Sequence, residues 1–206
     1  APFVEISPHL ISPLQGAIKR GLDILASGIA LLIGLPMFIV VAIAVKMSSP
    51  GPVFYRQERI GKDGKPFYIT KFRSMRTDAE ASGPALSRDR DPRITKVGLF
   101  LRKSHLDEIP QFWHVLVGDM SLVGPRPERQ FFIEQIVQRA PEYVHLLKVR
   151  PGITSWGQVQ YGYASSVDEM VERLKYDLIY IENMSLALDL KIMGYTVLRV
   201  FEGAGK

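Results

Sequence analysis

The sequence predicts an α+β fold, mainly helical with one small β-hairpin, tied to a membrane by an apolar segment. Three observations carry this expectation. Leu22–Val45 is apolar except for Asp23. Two runs rich in aromatic and β-branched residues flank the turn Gly61-Lys62-Asp63-Gly64. Beyond residue 105, apolar residues recur at steps of three and four rather than alternating.

The first element is the apolar segment. Its 24 residues would span about 36 Å as a helix, enough for a hydrocarbon core of roughly 30 Å. Pro36 lacks an N–H and clashes with the Leu32 carbonyl, and Gly34 weakens the same turn. Lys19 and Arg20 precede the segment and Lys46 follows it, so positive charge flanks both ends. A kinked spanning helix and a hairpin that enters and leaves by one face both fit this pattern. A soluble core helix fits poorly, because the segment is apolar all round.

Ser48-Ser49-Pro50-Gly51-Pro52 then breaks the helix. Val53-Phe54-Tyr55 and Pro66-Phe67-Tyr68-Ile69 are the expected hairpin strands. Residues 77–95 are polar and are expected to form a mobile loop, with Asp89, Asp91 and Pro92 within it. Leu106, Ile109, Phe112, Trp113 and Leu116 predict a helix beginning near Asp107, with Pro110 in its first turn. Gly118–Pro127 reads as a rigid loop, and helices are expected over 128–139, 141–148, 167–183 and 185–201. The last of these mixes Lys191 and Arg199 into an apolar pattern, which suits either an interfacial helix or a core helix.

Composition narrows the chemistry. The chain has 206 residues and a net charge of +5, which points to an anionic partner: nucleic acid, anionic lipid or a phosphorylated small molecule. It contains no cysteine, so disulfides and thiolate metal sites are excluded. It opens on Ala1-Pro2-Phe3 and a Pro/Ser-rich stretch with no secretory pattern, so residues 1–18 read as a linker following a missing N-terminal region.

Adjacent acids, Asp107-Glu108, stand in a segment rich in cations. Near them in the chain or in the motifs are Lys71, Arg73, Arg76, Arg102, Lys103 and Arg126. At a helix start the macrodipole would favour the ionised acids. Adjacent helical residues point about 100° apart, so one acid could attack phosphorus while the other holds a hard cation such as Mg2+. A solvated acidic cap begun by Ser104 fits the same residues. In Gly124-Pro125-Arg126-Pro127 two prolines restrict the backbone around one arginine, and Arg150 precedes Pro151 in the same way. His105 and His114 flank the dyad and are expected to be structural or peripheral.

Four ordered motifs carry a resemblance. Lys71-Phe72-Arg73-Ser74-Met75, Leu106–Gln111, Gly118–Pro127 and Arg150–Thr154 occur in the order and rough spacing of the bacterial sugar transferases, the monotopic phosphoglycosyl transferases that start lipid-linked glycan assembly. The similarity runs from about Lys19 to Val200, and residues 176–203 look most like the exopolysaccharide-initiating members. The resemblance implies a ping-pong transfer: a UDP-sugar gives its phosphosugar to an aspartate, UMP leaves, and a polyprenol (undecaprenyl) phosphate takes the phosphosugar. It implies Asp107 as nucleophile, Glu108 as Mg2+ ligand, and Lys71, Arg73, Arg102, Arg126 and Arg150 as substrate-binding residues.

It also implies a monotopic anchor, a re-entrant helix-break-helix over residues 19–47 broken at Pro36. The catalytic domain, residues 48–206, would then lie on the cytoplasmic face of the bacterial inner membrane with interfacial helices against the lipid. Some positions depart from the family pattern. Leu35 stands where a serine often precedes the proline, and Ser155-Trp156-Gly157-Gln158-Val159 replaces the usual Gly-Trp-Ala-Gln-Val. Gln160-Tyr161-Gly162 lacks an arginine that some members place there, so a phosphate contact from that stretch is not expected.

The rival readings are a non-catalytic basic membrane-binding module, an aspartyl-phosphate hydrolase, and a scaffolding member that has lost catalysis. Nucleic acid is not expected as a partner, since the cations gather around acids and turns rather than among exposed aromatics. The sequence leaves the sugar and any homo-oligomer open.

Overall fold

The computed structural model describes residues 11–81, 83–87 and 91–201. Most of the expected linker, together with Asp89 and residues 202–203, lies outside them. Helix α1 spans Pro13–Ser48, starting six residues before the expected segment. Ser12 accepts a hydrogen bond from the Gln15 N–H and Pro13 takes the first helical position, so the start is well capped.

The backbone of α1 stays helical through Pro36, because a proline removes one hydrogen bond while the turns on either side retain theirs. Leu32 and Ile33 are about three-quarters exposed, and most of the helix presents apolar side chains outward. It buries Asp23 and Ser27 on one side of Pro36, and Val41 and Val45 on the other. Both flanks therefore rest on the same body.

Strands β1 (Phe54–Ile60) and β2 (Pro66–Phe72) form the expected antiparallel hairpin, paired from Phe54 with Phe72 to Ile60 with Pro66. They are longer than the apolar runs suggested, since Arg56-Gln57-Glu58-Arg59 continues β1 on exposed or cavity-facing edges. Asp63 adopts φ 58° in the connecting turn, where Gly64 also has a positive φ. The described parts of residues 77–95 are tied down by Arg93, which pairs with Asp91 at 2.6 Å and donates to the Ala79 and Leu86 carbonyls.

Helix α2 (Lys96–Lys103) was not evident in the sequence. Thr95 caps it, and Leu101 packs with Phe72, Val41 and Val45 to hold α1 against the hairpin. Gly98 is required there, because a Cβ would come within 1.9 Å of the Ser74 carbonyl oxygen.

After a turn at Leu106–Glu108 come α3 (Gln111–Val117) and β3 (Ser121–Val123). Helix α4 (Gln130–Arg139) and a 3₁₀ stretch over Pro141–Lys148 precede β4 (Gly152–Thr154). Three helices close the chain: α5 (Trp156–Gln160), α6 (Val167–Glu182) and α7 (Leu186–Phe201). Strands β3 and β4 pair in parallel, within what the sequence presented as a loop and a turn. The main core lies among α4, the 3₁₀ stretch, α6 and α7, centred on Ile136, Tyr180, Ile181 and Ile192.

Candidate active site

The acids do not open a helix as the sequence predicts. His105 takes a left-handed conformation (φ 56°), Leu106–Glu108 form one 3₁₀ turn, and Pro110 caps the start of α3. Pro110 cannot extend a helix that includes Leu106, so the dyad occupies a separate turn before the helix. Neighbouring charges rather than a long helix dipole then set its ionisation.

Lys71 of β2 donates from Nζ to Glu108 Oε1 at 2.5 Å, and Arg126 Nη2 lies 3.7 Å from the same oxygen. Burial pushes the Glu108 carboxyl up, but Lys71 and Arg126 outweigh it and hold it at about 2. Asp107 is buried without such a close partner. Burial first, and the neighbouring Glu108 charge second, raise its carboxyl to about 6. Burial also lowers the Lys71 ammonium, against the pull of Glu108. Two adjacent residues thus hold different protonation behaviour.

Arg126 is aimed by a close backbone fit. Gly124 N–H donates to the Thr154 carbonyl at 3.1 Å, and Gly152 N–H donates to Pro125 at 2.9 Å. A Cβ on Gly152 would lie 2.2 Å from Gly124 N, so this approach requires glycine. At the far end of the loop, Glu128 accepts from Arg173 at 2.6 Å and from Arg59 at 3.2 Å. The Arg126 guanidinium stacks 5.5 Å above the Tyr163 ring. The Tyr163 hydroxyl lies 3.3 Å from His105 Nδ1.

A cavity of about 370 Å³ opens on the dyad. Lys71, Arg73, Arg102, Asp107, Glu108 and Arg126 all line it, so the structure gathers these sequence-predicted residues in one place. Arg76, Arg129 and the Arg59–Glu128–Arg173 group add to its wall, giving nine cationic side chains against four carboxylates. Arg73 donates to the Ser49 and Pro50 carbonyls at 2.8 and 2.7 Å, and so also fastens the chain leaving α1.

Arg150 is exposed, lines neither this cavity nor the one described next, and donates to the Gly118 carbonyl at 3.0 Å. His114 is structural: its Nε2 accepts from the Thr70 N–H and its Nδ1 faces Asp119. Sequence reasoning missed Tyr163, Arg59, Glu128 and Arg173. They are spread over β1, the loop before α4, the loop before α6, and α6, and no local spacing relates them.

A second cavity, about 290 Å³, adjoins the first. Ile109, Phe112, Ile153, Val159 and Val200 give it apolar walls, while Glu108 and Tyr163 line both cavities.

Among the described residues no three His, Cys, Asp or Glu side chains cluster as a metal site. Asp107 and Glu108 still offer hard oxygen donors beside a phosphate-sized cationic cavity. Such a pair suits Mg2+, which completes its shell from substrate phosphates and water.

The sequence pattern of the bacterial sugar transferases matches residues 14–203. Over 201 residues the chain is 44% identical to a UDP-N-acetylgalactosamine-undecaprenyl-phosphate N-acetylgalactosaminephosphotransferase of Aeromonas hydrophila, covering 98% of this chain and 48% of that protein. It is 43% identical over 203 residues to a UDP-glucose:undecaprenyl-phosphate glucose-1-phosphate transferase of Escherichia coli, covering 96% and 44%. An exopolysaccharide production protein of Rhizobium leguminosarum is 40% identical over 190 residues, covering 87% of this chain and 93% of that protein. The chain thus spans about half the length of the first two relatives.

Proposed function

The chain belongs to the bacterial sugar transferase family, and from that premise we propose that it moves a phosphosugar from a UDP-sugar to a polyprenol phosphate through a covalent aspartyl intermediate. The observation that carries the proposal is the buried Asp107 beside the ionised, cation-held Glu108 in a cavity lined by basic side chains.

In the first step an Asp107 carboxylate oxygen attacks the sugar-bearing phosphorus of the donor. The bond from that phosphorus to the oxygen bridging the two phosphates breaks, and UMP leaves with the electron pair. In the second step a phosphate oxygen of the lipid attacks the same phosphorus. The bond to Asp107 breaks, the carboxylate is restored, and a polyprenyl diphosphosugar departs. No base is needed for the attack by Asp107, because with a carboxyl near 6 it is mostly ionised at neutral pH while remaining more basic than a free aspartate.

Lys71, Arg102 and Arg126 neutralise the phosphates and hold them in line with Asp107. Tyr163 keeps the Arg126 plane in position. Mg2+ held by Glu108, with Asp107 beside it, would supply further neutralisation of the diphosphate.

The anchor is a one-sided, re-entrant segment bent at Pro36, with the catalytic body on the cytoplasmic face of the bacterial inner membrane. The supporting feature is that Asp23 and Val45, on opposite flanks of Pro36, both pack on that body while the apolar middle is exposed. A helix crossing the bilayer would carry its two ends to opposite faces.

The test is UMP release by the protein in detergent or liponanoparticles, across a panel of UDP-sugars with Mg2+ and undecaprenyl phosphate. Asp107→Asn should abolish both UMP release and the phosphosugar adduct. Robust turnover by that variant would sink the nucleophile assignment. Release of free sugar phosphate with no lipid product would favour a hydrolase.

A further inference from the structure

We infer that the second cavity is the acceptor subsite, seating the phosphate and first isoprene units of the polyprenol phosphate with Arg199 of α7 receiving the phosphate; this rests on the function proposed above. Glu108 and Tyr163 form its boundary with the cationic cavity, so a phosphate there stands next to the compartment that holds Asp107. Its other walls are hydrocarbon, which suits a prenyl chain and not a nucleotide. Arg199 also lines it, donating to the Val159 carbonyl at 3.3 Å and retaining further N–H donors in its fork. A guanidinium from α7 thus reaches the stretch Val159–Gly162, which carries no cation of its own.

The cavity also borders the membrane elements. Ile109, on its wall, lies 3.8 Å from where a Gly34 side chain would begin, two residues before Pro36. On α7, Leu190, Val197 and Leu198 are more than half exposed on the helix that carries Arg199. A lipid lying among these apolar surfaces would enter head first, with its phosphate moving toward the dyad. The two substrates would then approach from different sides: the nucleotide through the cationic cavity, the lipid through the apolar one.

The test separates the half-reactions. Arg199→Gln should raise the KM for undecaprenyl phosphate about ten- to a hundred-fold, the range of one charge-assisted contact, and retain the acceptor-free burst of UMP from the UDP-sugar. Arg199→Lys should recover part of the loss. On the unmodified protein, a prenyl phosphate carrying a diazirine on its first isoprene should label peptides containing Ile109–Phe112 and Arg199–Val200. An unchanged acceptor KM, or labelling confined to the cationic cavity, would overturn the subsite and leave the transferase reading intact. Absence of any UMP burst from the unmodified protein would instead remove the reading on which it rests.

Discussion

Lys71 Nζ stands 2.5 Å from Glu108 Oε1, and this ion pair separates the behaviour of two adjacent acids. Glu108 stays charged throughout the accessible pH range, while its neighbour Asp107 titrates near 6. An attacking carboxylate and a fixed anion are thereby made from consecutive residues. The pair comes from elements 37 positions apart, the end of β2 and the turn before α3.

The rate of the UMP burst should fall as pH drops through about 6, because protonation removes the attacking form of Asp107. It should level off above pH 7. A burst rate flat from pH 5 to 8 would contradict the raised Asp107 value.

The same group has a sign for stability. A carboxyl raised on folding destabilises the fold once it must ionise, so its burden is absent well below pH 4 and develops as pH rises through about 6. Asp107→Asn should therefore melt at a higher temperature than the unmodified protein at pH 7.5, and the gap should narrow at pH 5. Thermal unfolding in one detergent at both values checks it, and a lower melting point at pH 7.5 would count against it.

Glu108→Gln leaves the Lys71 ammonium buried without its carboxylate. Removal of one member of a buried pair costs on the order of 3 kcal/mol, and metal-dependent turnover should fall as well. Denaturant unfolding and Mg2+ titration of UMP release measure the two effects. Unchanged Mg2+ dependence would remove Glu108 from the metal site.

Asp23 is the sole charge in the apolar run from Leu22 to Val45, yet it is buried. It accepts from the Ser121 hydroxyl at 2.7 Å and from the Leu122 N–H at 3.2 Å, fastening α1 to β3. Asp23→Ala should destabilise the protein by about 1–3 kcal/mol. It should also increase hydrogen exchange at residues 121–123 more than within α6.

Gly124→Ala would place a methyl group 2.4 Å from the Arg150 carbonyl oxygen and push the Arg126 loop away from β4. A displacement of about 1 Å can cost about a hundred-fold in rate, so turnover should drop far more than stability. A variant with normal turnover would show that the loop can yield without moving Arg126.

The hairpin, the four later helical stretches and the apolar anchor were legible in the sequence because periodicity and turn residues are local signals. Pro141–Lys148 was located correctly but is 3₁₀. Helix α2 was not legible: its eight residues carry a short apolar pattern that acquires meaning only against Phe72, Val41 and Val45. The β3–β4 pair was hidden because it depends on two glycines, 124 and 152, meeting across 28 residues. Of the candidate site, Asp107, Glu108, Lys71, Arg102 and Arg126 could be named from motifs, whereas Tyr163 and the Arg59–Glu128–Arg173 support could not.

The sequence by itself determined the membrane segment, the adjacent acids and the basic surroundings, since hydropathy and charge are properties of residues wherever they end up. Only the tertiary structure decided which acid stays charged, because an ionisation depends on burial and on the distance to a partner cation. Tertiary packing also brought a neutral tyrosine and a second, apolar cavity up to the dyad. Their positions follow from contacts between distant elements, and no local pattern of residues records those.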